Sequence, residues 1–264
     1  MNHPIKILYC LFPLFLSNQV VAQPDKFSTP AIFNDLHTVY TYQKSNWDGT
    51  HASTIFLYVR NKTQLESFKW AEGDEWATLV SADMDWKSFT IKGFKNHRIF
   101  RNGTRRLLAE LHENNQHIHF KVGDFADSMQ LENAFWHSYD FDFAGLGFSW
   151  RALNNKRSDF YFHIADAGMT NDKISFLNKG RVDVKYAVEE NLNGKPCLKY
   201  AIDGPGLQYK GGHIWINPLT NMIELYKIEL PDEDGFANGQ LKLMQSQKMS
   251  PAEWEKFITS KMSL

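Results

Sequence analysis

Arg181-Val182-Asp183-Val184-Lys185-Tyr186-Ala187-Val188-Glu189, followed by Asn193-Gly194 and then Leu198-Lys199-Tyr200-Ala201-Ile202-Asp203, is the passage that decides the fold class. Side chains alternate across a strand, so Val182, Val184, Tyr186 and Val188 share one face while Arg181, Asp183, Lys185 and Glu189 share the other. Asn-Gly suits the positive φ angles of a tight hairpin turn, and Leu198, Tyr200 and Ile202 then alternate with Lys199 and Asp203. The pattern predicts an antiparallel hairpin with one buried face.

The same grain extends in both directions. Gly212 to Ile216 and Ile223 to Ile228 form a second strand–turn–strand unit around Asn217-Pro218-Leu219-Thr220-Asn221, where Pro218 belongs because it cannot donate to a ladder. Ile55-Phe56-Leu57-Tyr58-Val59 is apolar on both faces, so something must cover each side. Leu65 to Trp70 follows, and then Trp76, Thr78, Val80, Ala82, Met84 and Trp86 alternate with Ser81, Asp83 and Asp85. Further strands are expected at Ser88–Phe94, Arg105–Leu111, His117–Val122 and Asp159–Ile164. Helical spacing is confined to two places. Phe143, Leu146, Gly147, Trp150 and Leu153 form one apolar stripe, although Gly145 and Gly147 each weaken a helix by about 1 kcal/mol relative to Ala. Ser250-Pro251-Ala252-Glu253 is a capping box with Pro at the first helical position, followed by the stripe Trp254, Phe257, Ile258. The expected class is mainly β (α+β): a large curved antiparallel sheet or half-barrel, with one or two covering helices and a C-terminal helix that latches onto the sheet.

Met1 to Ala22 reads as a secretory signal peptide, with Lys6 ahead of an apolar run from Ile7 to Leu16 that is too short to span a bilayer as a helix. Cleavage is expected before Gln23, leaving residues 23–264 as a single β-rich domain in the periplasm or outside the cell. Cys197 would then be the only thiol, so stability must come from the core and not from a disulfide. The 264-residue chain has 29 Lys+Arg, 30 Asp+Glu and a net charge of −1. That balance removes the electrostatic case for nucleic-acid binding or a polybasic membrane surface. The distinctive feature is aromatic content, 8 Trp, 10 Tyr and 20 Phe.

Catalytic and metal motifs fail on spacing. His112 and His117 in His112-Glu113-Asn114-Asn115-Gln116-His117 are one residue too far apart for a zinc-protease helix, and Asn114-Asn115 suits a turn. His117 and His119 share a strand face with Lys121, but no third ligand is identifiable, and a solvated polar face accounts for them. Asp124, Asp127, Glu132, Asp140 and Asp142 gather carboxylates, yet two Asp at i and i+2 serve glycoside hydrolysis only at a defined separation. Asp232-Glu233-Asp234-Gly235 lacks the later Glu of a calcium loop and reads as a turn. No catalytic residue, metal site or cofactor is assigned, and the enzyme question leans to no.

The signal peptide, the runs Thr54–Val59 and Leu65–Trp70, and the closing hairpin Gly211–Ile228 resemble the periplasmic lipoprotein-sorting carriers (LolA-like half-barrels). That resemblance implies helices lidding a concave sheet around an acyl chain or other apolar ligand. The expectation is therefore an exported, non-enzymatic monomer that binds a lipid-like or apolar ligand in a concave sheet lined by Phe56, Tyr58, Trp70, Trp86, Trp150, Tyr186, Tyr200 and Trp215. Two alternatives stand beside it: a carbohydrate-active protein using surface tryptophans and the Asp124–Asp142 carboxylates, and an envelope interaction protein with a protein partner at an exposed sheet edge.

Overall fold

The computed structural model describes residues 26–28, 34–70, 73–86, 90–131, 135–138, 143–170, 173–231 and 235–262. Its elements are β1 (Thr38–Ser45), β2 (Ser53–Val59), β3 (Gln64–Trp70), β4 (Trp76–Asp85), β5 (Thr90–Phe100), β6 (Arg105–Asn114), β7 (His117–Val122), β8 (Phe125–Gln130), β9 (Trp136–His137), α1 (Phe143–Ala152), β10 (Phe160–Thr170), β11 (Lys173–Leu192), β12 (Lys195–Asp203), β13 (Gly212–Ile216), β14 (Ile223–Ile228), β15 (Gly239–Lys248) and α2 (Pro251–Met262). The signal segment, Glu132, Asp140, Asp142 and Asp232 to Asp234 lie outside the described residues.

The hairpin around Asn193-Gly194 forms as its residues require. Leu192 pairs with Lys195, and Asn193 (φ 51°) and Gly194 (φ 86°) both take the left-handed region of a two-residue turn. Asn115 (φ 50°) and Gln116 (φ 63°) make the same kind of turn between β6 and β7. The alternation of β11 ends sooner than its sequence suggests. A register shift falls between Tyr186, opposite Tyr200, and Val188, opposite Lys199. One extra residue in a strand reverses the facing of everything after it. Val182 and Val184 are accordingly fully buried, whereas Val188 is 46% exposed.

The strands form one sheet, in the order β4-β3-β2-β1-β15-β14-β13-β12-β11-β10-β9-β5-β6-β7-β8, with β4 also paired to β5. The curved antiparallel sheet is therefore present, and it curls beyond a half-barrel: twelve strands close into a ring. Bulges between Thr41 and Tyr42, Ile164 and Ala165, and Trp215 and Ile216 are among the irregularities that bend it. The closure is narrow, because β9 has two residues and reaches β5 through Thr90–Trp136 and β10 through His163–Trp136 and Ile164–His137, all parallel. Beyond β5, strands β6 to β8 continue the sheet and fold over the β10–β11 hairpin, where Phe120 meets Phe176 at 5.0 Å and Asp127 accepts the Phe176 N–H at 2.9 Å.

Two apolar clusters occupy the two faces. The larger lies inside the ring and contains Tyr40, Tyr42, Ile55, Leu57, Val59, Val80, Ala82, Trp86, Phe162, Tyr200 and Ile214 together with Leu146, Phe148 and Trp150 of α1. The smaller lies outside and sets Val39, Phe56, Tyr58, Phe68, Leu79 and Ile99 against Trp254, Ile258 and Met262 of α2. The doubly apolar run Ile55–Val59 is thus covered on both faces, by the luminal core and by α2.

Candidate functional site

The site expected on the concave face centres on α1, which lies in the lumen. Its residues Gly145 to Trp150 are all buried, the condition in which a helix is apolar all round and draws little support from a solvated face. Gly147 is needed for the approach to β14: a Cβ there would stand 3.3 Å from the Ile223 backbone nitrogen. Phe148 packs on Trp86 (5.3 Å between ring centres), and Trp150 packs edge-on against Phe160 (5.2 Å) and Tyr200 (5.3 Å). Tyr186 completes the aromatic group at 5.6 Å from Tyr200.

Polar groups fasten the end of this helix. Arg151 donates two hydrogen bonds to Asp35, at 2.7 and 2.5 Å, and lies over the Phe148 ring at 4.3 Å. Their side chains are only 9% and 12% exposed. The Tyr40 hydroxyl also donates to Asp35, at 3.0 Å. Burial first, and then the Asp35 charge, push the Tyr40 hydroxyl up to about 12. Past the helix terminus, the Lys156 ammonium donates to the carbonyls of Trp150, Arg151 (3.0 Å) and Leu153 (2.8 Å). These are the carbonyls a helix leaves without internal partners. Burial, with Arg151 adding to it, pushes Lys156 down to about 8. The Tyr200 hydroxyl donates to the Lys156 carbonyl, and burial raises its pKa.

Of the eight aromatic residues expected to line the concavity, the structure brings four together there: Trp86, Trp150, Tyr186 and Tyr200. Phe56, Tyr58 and Trp70 lie on the outer face. Tyr58 stacks on Trp254 at 4.9 Å, Phe56 meets Phe257 at 4.9 Å, and Lys261 lies over Trp70 at 5.4 Å. Trp215 is half-buried on β13, donating to Glu190 under Lys199 at 5.0 Å. The reason is that period-two alternation separates two faces without saying which is luminal.

Asp35, Tyr40 and Lys156 were missed by sequence reasoning. Their partners lie far off in the chain, and the only local signal was an unexplained basic residue, Arg151, at the end of an apolar stripe.

The other candidate residues are dispersed. Asp127 holds the Phe176 and Ser128 amides at 2.9 and 2.8 Å, and Asp124 is exposed at the β7–β8 turn. His117 faces His119 at 5.0 Å and is bonded to Gln130 at 3.0 Å. His112 and His119 line an outer groove of about 730 Å³ with Asp83, Lys95, Glu110 and Lys121. Among the described residues no group of three His, Cys, Asp or Glu side chains comes together in a way that would hold a metal ion. Cys197 is buried, which pushes its thiol up to about 11 and keeps it protonated near neutrality.

No protein-family model matches the chain, and no curated protein matches it. Solved structures similar to it include a DUF1089 family protein from Pseudomonas aeruginosa, at 11% identity and a TM-score of 0.38, covering 64% of this chain and 85% of that one. MucB is another, at 12% identity and a TM-score of 0.27, covering 83% of this chain. This chain spans 55% of MucB's length.

Proposed function

We propose that this protein is an exported, non-enzymatic binding protein whose ligand is apolar or lipid-like and is held against the luminal aromatic residues, in the space α1 fills here. The observation that carries the reading is α1 itself. It is a ten-residue helix with two internal glycines, too short and too weak to persist without its surroundings, yet it occupies the middle of the largest apolar surface of the molecule. Exchange with a ligand is energetically feasible. Leu146, Phe148 and Trp150 contribute roughly 5–9 kcal/mol by burial at ~1.5–3 kcal/mol each, and a chain of about twelve methylenes contributes ~10 kcal/mol at ~0.8 kcal/mol each. The two apolar contributions are of the same order, and a ligand must in addition offset the Arg151–Asp35 pair and the Lys156 cap that hold the end of α1. Two-residue β9 lies just before α1 in the chain, so a withdrawing helix would pull on few ladder bonds.

Of the carboxylates in the carbohydrate reading, Asp127 is engaged with backbone amides, while Glu132, Asp140 and Asp142 lie outside the described residues. The test is native mass spectrometry and solvent extraction of protein purified from the periplasm or medium of the expressing cell. Recovery of a stoichiometric apolar molecule is expected. Empty protein that also fails to take up a fluorescent fatty acid would overturn the proposal.

A further inference from the structure

Strands β8 and β11 face each other across a seam that no ladder closes. β8 is the last strand of the sheet and pairs with β7 alone, and along Ile174 to Asn178 β11 pairs with β10 alone. Strand edges of this kind carry N–H and C=O groups that need some other partner. Here one side chain serves both edges. The Asp127 carboxylate accepts the Ser128 N–H through Oδ1 at 2.8 Å and the Phe176 N–H through Oδ2 at 2.9 Å. Among the described residues, the second of these is the hydrogen bond that crosses from β8 to β11.

Behind this contact lies the luminal core. Phe120 stands directly opposite Asp127 on β7 and meets Phe176 at 5.0 Å, and Phe176 meets the fully buried Trp136 of β9 edge-on at 6.3 Å. All three rings belong to the same apolar cluster as Leu146, Phe148 and Trp150 of α1. Met129 of β8 and Ile174 of β11 pack against that cluster while remaining partly exposed. A line of apolar side chains therefore runs from the seam to β9, the strand through which the ring closes, and on to α1. Strands β6 to β8 are attached to the ring on their other side, where Gly93 to Ile99 of β5 pair with β6 and Arg105 bonds Glu255. Three strands attached along one side, and held at the opposite side by apolar contacts and one carboxylate, have the geometry of a flap.

We infer that β6 to β8 form a flap, and that the seam between β8 and β11, latched by Asp127, is the side entrance through which a ligand passes between solvent and the lumen. The route rests on the apolar-ligand reading above. Asp127 is a positioning residue of the flap in this scheme, and the ligand itself is held elsewhere, against the luminal aromatic residues. A latch that is closed both before and after passage sets the rate of exchange and leaves the affinity unchanged.

The experiment is stopped-flow uptake and release of dansyl-undecanoic acid by the full chain. Asp127→Ala is expected to raise both rates together, about five- to tenfold, at an affinity within about twofold of wild type. Asp124→Ala, at the exposed β7–β8 turn, should change neither. Ser128 and Ser175 flank the latch on the outward face, because side chains alternate and Asp127 and Phe176 point inward. Ser128→Cys with Ser175→Cys, joined by a reducible bis-maleimide, should slow uptake about tenfold, and reduction of the linker should restore it; Cys197 is buried and stays out of that reaction. Should Asp127→Ala not fold, the stapled pair decides alone. Equal uptake rates in wild type, Asp127→Ala and the stapled protein overturn the side entrance while leaving the apolar-ligand reading standing. Weakened affinity in Asp127→Ala with no rise in the uptake rate overturns it as well, since Asp127 then serves the fold or the binding surface alone. No uptake by wild type overturns both.

Discussion

The two helices sit on opposite faces of one sheet and owe their existence to different causes. α2 is a helix by its own sequence. Ser250 and Glu253 cap each other reciprocally, with the Ser250 N–H donating to the Glu253 carboxylate at 2.7 Å and the Glu253 N–H to the Ser250 hydroxyl at 3.3 Å. Trp254, Ile258 and Met262 are buried on one stripe while the other face stays in water. Polar ties then place it: the Trp254 indole donates to Glu66 at 2.6 Å, and Glu255 receives Arg60 and Arg105. α1 has polar ties of its own, the Arg151–Asp35 pair and the Lys156 cap, but it lacks the self-cap and the solvated face. Its glycines disfavour helix and its buried faces leave no solvated side, so its conformation follows from the lumen that surrounds it. A helix of the first kind latches a fold; one of the second kind is the element that the proposed ligand would displace.

The sharpest way to break this contrast is Trp150→Ala. Removing a fully buried Trp is expected to cost about 3–5 kcal/mol in urea unfolding, and the cavity left should raise affinity for a small apolar probe. A loss below 1 kcal/mol would mean that α1 is not the packed centre of the lumen. Next in size is Asp35→Ala, which strands the Arg151 guanidinium; allowing for its partial exposure, about 2–3 kcal/mol is expected. Ser250→Ala should cost only about 1 kcal/mol through the lost cap of α2, with ligand uptake unchanged.

Acidity should separate the two helices at the smallest scale. At Glu255, burial works to raise the pKa, but hydrogen bonds from Arg105 and Arg60 outweigh it and hold the carboxylate below its ordinary range. A carboxylate with a lowered folded pKa contributes stability above its unfolded value, and that contribution is lost as pH falls through the folded value. Trp254 fluorescence should report α2 loosening in acid, and Glu255→Gln should remove that transition. Lys156 has the opposite sense. Its folded value of about 8 lies below the ordinary 10.5, so between those pH values the unfolded chain binds more protons and stability should rise with pH. Urea midpoints measured from pH 8 to 10 in wild type and Lys156→Met check this; the variant should show a shallower rise.

Much of the sheet was legible because its information is local. The turns at Asn193-Gly194 and Asn217–Asn221, the alternation of β4 and the capping box of α2 each involve residues within a few positions of one another. β1 and β15 were not picked out. Their pairing joins Thr38 to Lys248 across most of the chain, and the run Gln245 to Lys248 is exposed and polar, so β15 carries no apolar alternation at that end. β9 escaped because two residues cannot display a period. Val188 was assigned to the wrong face because a single bulged residue leaves no signature in composition yet reverses every side chain beyond it.

The candidate site divides in the same way. Trp150 and Tyr200 were identifiable as large apolar groups on predicted elements, but Asp35, Tyr40 and Lys156 became part of the site only through contacts made in the folded ring. The residue pattern by itself determined that this chain forms a curved antiparallel sheet with two apolar faces and a self-capped C-terminal helix, since strand periodicity, turn chemistry and caps act over a few residues. Tertiary structure alone decided which face became the lumen, that the sheet closes through β9, and that α1 rather than solvent fills the interior, because these depend on register and curvature summed over the whole ring.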